Sequence, residues 1–322
     1  MIRRCSLLLC IGLLAGVLAG PASGKSPATR PMEDWKLCWS DEFDGQEIDK
    51  THWTFDQGNG FTVPGTQAYV AGWGNQELEY YTSRPENAWV KDGMLHIRAI
   101  AEAYHGCKYT SARLTSKGLF SKTYGRFEFR AKLPTGKGLW PAIWLLPADN
   151  AYGGWAASGE IDVMEARGQE VTKILGTLHY GSAWPGAASS GANYQLPDGQ
   201  TISDFHVYAL EWEPGVMRWY VDDKLYSTQR NWWSCSKLDA KKRGLVNPPA
   251  ADRNPWPAPF DKPFYIVINL AVGGNFPGNP DSQTAFPQEM LVDYVRVYDK
   301  ASYGDVPPPW GKEESNKGKT GR

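Results

Sequence analysis

Three acids, Glu160, Asp162 and Glu165, stand in the stretch GEIDVMEARG (159–168), interleaved with Ile161, Val163 and Met164. The apolar filling is that of a β-strand, in which side chains alternate faces. Glu160 and Asp162 then share a face. Glu165, an odd number of positions further on, points to the other. One extra residue, Val163 or Met164, would form a β-bulge and reset the alternation. With that bulge all three acids face one way. Two carboxylates converging on a cleft, one as nucleophile and one as proton donor, are what glycoside hydrolysis needs; retention of configuration sets them about 5–5.5 Å apart. Three neighbouring carboxylates cannot all ionise cheaply, so one should hold its proton toward neutral pH. A merely solvated strand face suits a single Glu better than three acids set among Ile, Val and Met.

The elements that must position these acids read as short strands. MLHIRAIA (94–101), YGRFEFRAKLP (124–134), KILGTLHYG (173–181), HVYALEWEPG (206–215), VMRWYVDDK (216–224), FYIVINLAVGG (264–274) and MLVDYVRVYD (290–299) have the composition and alternation of strands. Phe127, Phe129 and Ala131 alternate with Arg126, Glu128 and Arg130, which predicts one wet face. Helical periodicity is nearly absent; PQEM (287–290) supports one turn at most. Many short strands with Gly and Pro turns predict a single all-β sandwich over 32–300. No repeat period argues for a propeller. The stretch 231–262, containing NPPAADRNPWPAP, reads as a long loop of the kind that walls a binding cleft.

The 322 residues carry a net charge of -1 and no long basic cluster, which argues against a nucleic-acid partner. Fifteen Trp and 16 Tyr exceed what a core needs, and flat indole faces are suited to stacking sugar rings. Arg3 and Arg4, the apolar run from Leu7 to Ala19 and the small residues Ala22-Ser23-Gly24 make residues 1–24 an expected signal peptide. That run is shorter than the about 20 residues of a membrane span. The following residues fit a twin-arginine signal poorly, and Cys10 lacks the small residues of a lipoprotein signal. The protein is therefore expected outside the cytoplasm, secreted or periplasmic, with no membrane anchor and as a monomer. Residues 25–31 are expected to be flexible, and 301–322 a polar, disordered tail. Cys38, Cys107 and Cys235 remain after the leader, allowing one disulfide of unassigned pairing.

GEIDVME resembles the bulged catalytic strand, E-x-D-x-x-E, of glycoside hydrolase family 16. WSDEFDG (39–45), NQELEYYT (75–82), YTSARLTSKG (109–118), YGRFEFRAKLP, LWPAIWLLP (139–147), TLHYG (177–181), PFYIVINLAVGGNFPG (263–278) and VDYVRVY (292–298) agree with it in order. The chain is most similar to the laminarinase-like endo-1,3-β-glucanases. The resemblance implies a concanavalin A-like β-jelly roll with a substrate cleft across its concave face. It implies Glu160 as nucleophile, Glu165 as general acid/base and Asp162 as the residue that hydrogen-bonds the nucleophile, in a retaining double displacement without a cofactor. On that match Glu165 is expected to be the acid that holds its proton, with Asp162 as the competing assignment.

Among sugar-binding positions, the resemblance implies Trp144 and Trp155 beside the cut bond and His179 close to the acid/base. Asn75 and Arg113 would grip hydroxyls on the non-reducing side, with turn-capping or salt-bridge roles as the alternatives. Trp140, Trp184 and Trp232 are further candidates for the platform. A structural calcium is implied at the carbonyls of Glu42 and Gly93 and the side chain of Asp293, oxygen ligands of the type calcium prefers. The expected partner is a β-1,3-glucan, with mixed-linkage glucan as a second substrate. A sulfated galactan, transglycosylation, and a dead site that only binds glucan are the rival readings. The long loop after Asn231 and the segment ADNAYGGWAAS (148–158) are expected to set cleft length.

Overall fold

The computed structural model describes residues 32, 34–237, 248–304 and 306–309; the expected leader and flexible start lie outside them. In chain order the first strands are β1 (Lys36–Asp41), β2 (Thr54–Asp56), β3 (Gly60–Thr62), β4 (Tyr69–Ala71) and β5 (Glu79–Tyr81). Then come β6 (Ala88–Lys91), β7 (Met94–Tyr104), β8 (Cys107–Ser111), β9 (Arg113–Thr115) and β10 (Gly125–Lys132). The middle of the chain forms β11 (Leu139–Pro147), β12 (Glu160–Glu165), β13 (Lys173–Gly181), β14 (Ala187–Gln195) and β15 (His206–Glu213). Last are β16 (Val216–Val221), β17 (Lys224–Gln229), β18 (Phe264–Val272) and β19 (Gln288–Asp299). Among the described residues, helical structure is limited to two 3-10 turns, Gly72–Gly74 and Ala250–Asp252.

Ten strands form one sheet, ordered β17-β16-β15-β10-β19-β7-β8-β5, with β1 also on β19 and β6 on β7. Seven form the facing sheet, β14-β13-β12-β11-β18-β9-β2, and β3 pairs with β4 apart from both. Apolar side chains of alternate positions meet between the sheets: Phe127, Phe129, Leu210, Trp212 and Trp219 from one, Ile143, Ile161, Met164, Leu178 and Ile268 from the other. This is the expected all-β jelly-roll sandwich. The outward face of the seven-stranded sheet is left to carry the acids.

Several expectations need correction. The predicted wet face of β10 is dry at Arg126 and Glu128, both 1% exposed. The guanidinium donates to Glu128 at 2.8 Å, and Tyr294 donates its hydroxyl to the same carboxylate at 3.0 Å. A buried charge must be paired in this way. PQEM, allowed one turn at most, instead opens β19 from Gln288. Among the described residues Cys38, Cys107 and Cys235 are free thiols, and the permitted disulfide is not made. Within the expected tail, Tyr303 donates to Asp299 at 2.6 Å and the Val306 carbonyl accepts the Trp256 indole N–H at 2.9 Å, while residues 310–322 lie outside the described residues. No helix among the described residues is long and apolar enough to cross a membrane.

Candidate active site

The bulge is present in β12. Against β11, Ala142 pairs with Glu165, Ile143 with Met164 and Trp144 with Asp162, so Val163 is the extra residue. Against β13 the register passes from Asp162↔Thr177 to Glu165↔Leu175, setting Val163 and Met164 opposite Gly176 alone. Val163 and Met164 are both buried in the core. Two consecutive inward residues return the strand to parity, and Glu160, Asp162 and Glu165 share the outward face. Strand entry depends on Gly159, at φ +86°, a left-handed conformation that glycine adopts without steric cost. A Cβ there would also lie 2.7 Å from Phe260.

Strand registry assembles the rest of the site. One row across the sheet runs Leu175, Glu165, Ala142, Asn269, Arg113 and Asp56. The next holds Thr177, Asp162, Trp144 and Val267. The terminal acids each receive one indole N–H. Trp155 donates to Glu160 at 3.0 Å, and Trp140 donates to Glu165 at 3.1 Å. Trp144 instead donates to Asn269 at 2.7 Å, and Asn269 donates to the Tyr81 hydroxyl at 3.0 Å. The Arg113 guanidinium lies between the rings of Trp73 and Trp144, 4.5 and 4.7 Å from their centroids, and pairs with Asp56 at 2.9 Å. Asn75 donates to Glu77 at 3.1 Å, and its carbonyl accepts from Asn275 at 2.7 Å.

His179 lies among the three acids and acts on all of them. It pairs across the ladder with Glu160, and its Nε2 lies 3.3 Å from Asp162 and 3.8 Å from Glu160. Trp155 and Trp184 form a second cluster there, with ring centroids 6.1 Å apart and Trp184 72% exposed. Trp232 is no platform. It is fully buried, stacked on Trp256 at 4.9 Å, and the loop carrying it braces the approach to β12 where Ser234 donates to the Ala157 carbonyl at 2.6 Å. A hollow of about 500 Å³ around Trp89, His96, Arg98 and Glu289 lies on the larger sheet, away from the acids. There Glu289 pairs with both His96 and Arg98.

The electrostatics divide the acids. Burial, then the Asp162 charge, raises Glu160 to about 7, while His179, the Trp155 N–H and Arg113 oppose the rise. Burial, then Asp162 and Glu160, raises Glu165 to about 8 against the pull of His179 and Trp140. Burial alone would depress His179, but the pairing with Asp162 and the surrounding acids outweigh it and push the imidazole up to about 10. Near neutral pH the site therefore holds an imidazolium, and Glu165 is the glutamate that keeps its proton more firmly. Glu160, Asp162 and His179 present atoms within 4.8 Å of one another, close enough to share a metal ion.

An acid that keeps its proton beside one that loses it more readily is the pairing glycoside hydrolysis requires. A family model for glycosyl hydrolases family 16 matches residues 66–235, a span holding all three acids and their indole donors. The chain belongs to glycosyl hydrolases family 16. It is 42% identical over 306 residues to a beta-glucanase of Rhodothermus marinus, covering 92% of this chain and 95% of that one. It is 43% identical over 284 residues to glucan endo-1,3-beta-glucosidase A1 of Niallia circulans, covering 85% of this chain but 39% of that longer one. The solved laminarinase of Rhodothermus marinus superposes with a TM-score of 0.69 at 44% identity, over 83% of this chain and 98% of that one. As a family 16 glycoside hydrolase, the chain carries its acids on the outward face of its smaller sheet.

Asn269 was missed at the sequence level. A lone polar residue in FYIVINLAV, a strand otherwise apolar, was the available signal. Trp144→Phe is expected to leave the Asn269 oxygen without its indole donor in a site 5% exposed. The cost should be about 1–3 kcal/mol in denaturant unfolding, with a raised KM. An unchanged midpoint and KM would detach Trp144 from the cleft wall.

Proposed function

We propose that the chain is an exported, monomeric, retaining endo-hydrolase of β-1,3-glucan. The bulge carries this reading, because it brings Glu165 onto the face of Glu160 and Asp162. Protonated Glu165 gives its proton to the glycosidic oxygen as the C1–O bond breaks. Ionised Glu160 attacks C1 and forms a glycosyl ester. Glu165, now a carboxylate, takes a proton from water, whose oxygen attacks C1 and frees Glu160. Asp162 supplies negative charge between the two, and the His179 imidazolium balances it. The Trp155 N–H steadies the nucleophile. The glucanase relatives support β-1,3-glucan as the substrate class.

Hydrolysis of laminarin, lichenan, agarose and carrageenan by the full chain tests the substrate, with Glu160→Gln and Glu165→Gln as controls. Laminarin should be cut; agarose cut alone overturns the reading. The first product seen by NMR should be the β-anomer, and an α-anomer would remove Glu160 from the nucleophile role.

The calcium reading concerns a place remote from the acids. β7 pairs with β19 up to Val292 and β1 pairs with it from Val295, so neither covers Asp293 and Tyr294. Glu42 follows the end of β1 and Gly93 precedes the start of β7, flanking that gap, which suits carbonyl ligation. The Glu42 carboxylate is engaged by Arg296, leaving its carbonyl as the donor, while Asp293 would share its carboxylate with Arg130. An ion there would tie three segments together and supply no chemistry. Excess calcium after chelation should raise the melting temperature and leave kcat unchanged; no shift removes the site.

A further inference from the structure

We infer that Trp219 is a positioning residue: its indole, seated against Gly176, holds the β12 bulge in register and so aims Glu165. Trp219 belongs to β16, in the sheet opposite the acids, and is fully buried. Its Nε1–H donates to the backbone carbonyl of Asp162 at 2.9 Å. That carbonyl stands at the entrance to the bulge, where the β13 ladder skips from Asp162 to Glu165. Bulges disrupt the ladder locally, and a buried carbonyl there needs a donor from elsewhere. The indole supplies one across the core.

Space for it comes from a single missing side chain. Gly176 is the β13 residue facing Val163 and Met164. A Cβ at Gly176 would lie 2.5 Å from Trp219 Cδ1, 2.8 Å from its Nε1 and 2.5 Å from the Tyr226 hydroxyl. Neither of the latter groups could stay where it is. Gly176 carries no unusual backbone angle, so room is the reason for glycine here.

The two glutamates depend on this anchor unequally. Glu160 is pinned by regular pairs on its own side, Glu160↔His179 and Ile161↔Leu178. Glu165 lies beyond the bulge, and parity places it on the outward face only while two residues stay tucked inward. Loss of the anchor should therefore disturb proton transfer more than nucleophilic attack. This inference rests on the acid/base role proposed for Glu165.

Trp219→Phe keeps an aromatic ring and removes the N–H; Gly176→Ala keeps the N–H and displaces it. Trp212→Phe is the control. Trp212 is equally buried in the same sheet, and its indole donates to the Phe260 carbonyl at 3.2 Å rather than to the bulge. On laminarin, both test variants should lose about 10²-fold in kcat, the scale of a misplacement near one ångström, with KM little changed. A dinitrophenyl β-laminarioligoside has a leaving group that departs without protonation. Its phenolate burst should stay near the wild-type rate in both variants. Trp212→Phe should lose stability without this split.

Wild-type kcat on laminarin in Trp219→Phe overturns the inference, as does an equal loss on both substrates. If Trp219→Phe is not recovered folded, Gly176→Ala decides by the same criteria. Full activity in Glu165→Gln would sink the proposed function itself. Inactivity there beside an active Trp219→Phe would sink only the anchor.

Discussion

Glu160→Gln is expected to lower the rate on laminarin on the order of 10⁴-fold or more, while the fold persists. The amide has the size of the acid and still accepts the Trp155 N–H, now 3.0 Å from a carboxylate oxygen. It cannot form a glycosyl ester, so double displacement stops at its first step. The geometry around it need not change, since the ladder pair with His179 is made by backbone. Stability supplies an independent sign. Glu160 is raised from 4.5 to about 7, so the native chain keeps a proton that the unfolded chain has lost across that interval. Wild-type stability then falls with rising pH through the interval, and the variant, which never ionises at this position, gains on it. A deeper cut restores chemistry by another route. Glu160→Gly with azide and an activated β-aryl laminarioside should give the α-glycosyl azide, because azide enters from the side the nucleophile has vacated. The β-azide would place the nucleophile elsewhere.

How far such a site can be read from residues alone depends on which forces are local. KILGTLHYG was read as a strand and β13 has those bounds, because alternation and a closing glycine are both local signals. AASSGANYQ became β14 without being foreseen. Its small and polar residues give no apolar alternation, and pairing with β13 alone makes it a strand. The bulge was legible because parity is arithmetic: three acids could share a face only through one extra residue. The ladder partner of His179 was not. It follows from the β12–β13 register, which the bulge itself shifts. Trp232 and Trp184 both stand in loops with nothing in their neighbours to separate them, yet one is buried against Trp256 and the other is largely exposed. Arg126 and Glu128 alternate with core residues as surface positions would. Their burial comes from tyrosines and acids distant in sequence, as does the contact of Trp219 with Asp162. Side-chain identity marked the chemistry; contacts between sheets decided its support.

The proton on Glu165 should set the alkaline limit of activity. Raised to about 8 by burial, then by Asp162 and Glu160, it is present to protonate the leaving oxygen at neutral pH and absent well above. kcat/KM on laminarin should therefore fall on the alkaline side near pH 8, and on the acid side as Glu160 takes up its proton; these limbs belong to the coupled pair. Glu165→Gln removes the donor and should cut laminarin hydrolysis about 10²–10⁴-fold. On a dinitrophenyl laminarioside the same variant should form the glycosyl-enzyme at a rate free of the alkaline limb. Azide should then capture that intermediate as the β-glycosyl azide, opposite in configuration to the Glu160→Gly product. Stability moves with the same proton. Between 4.5 and about 8 the native chain holds it and the unfolded chain does not, so wild-type stability declines with pH across that window. The melting temperature of Glu165→Gln, taken relative to wild type, should rise through the window and level off above it. A flat difference would mean that Glu165 ionises as an ordinary exposed carboxyl, and the assignment of the acid would pass to another group of the trio.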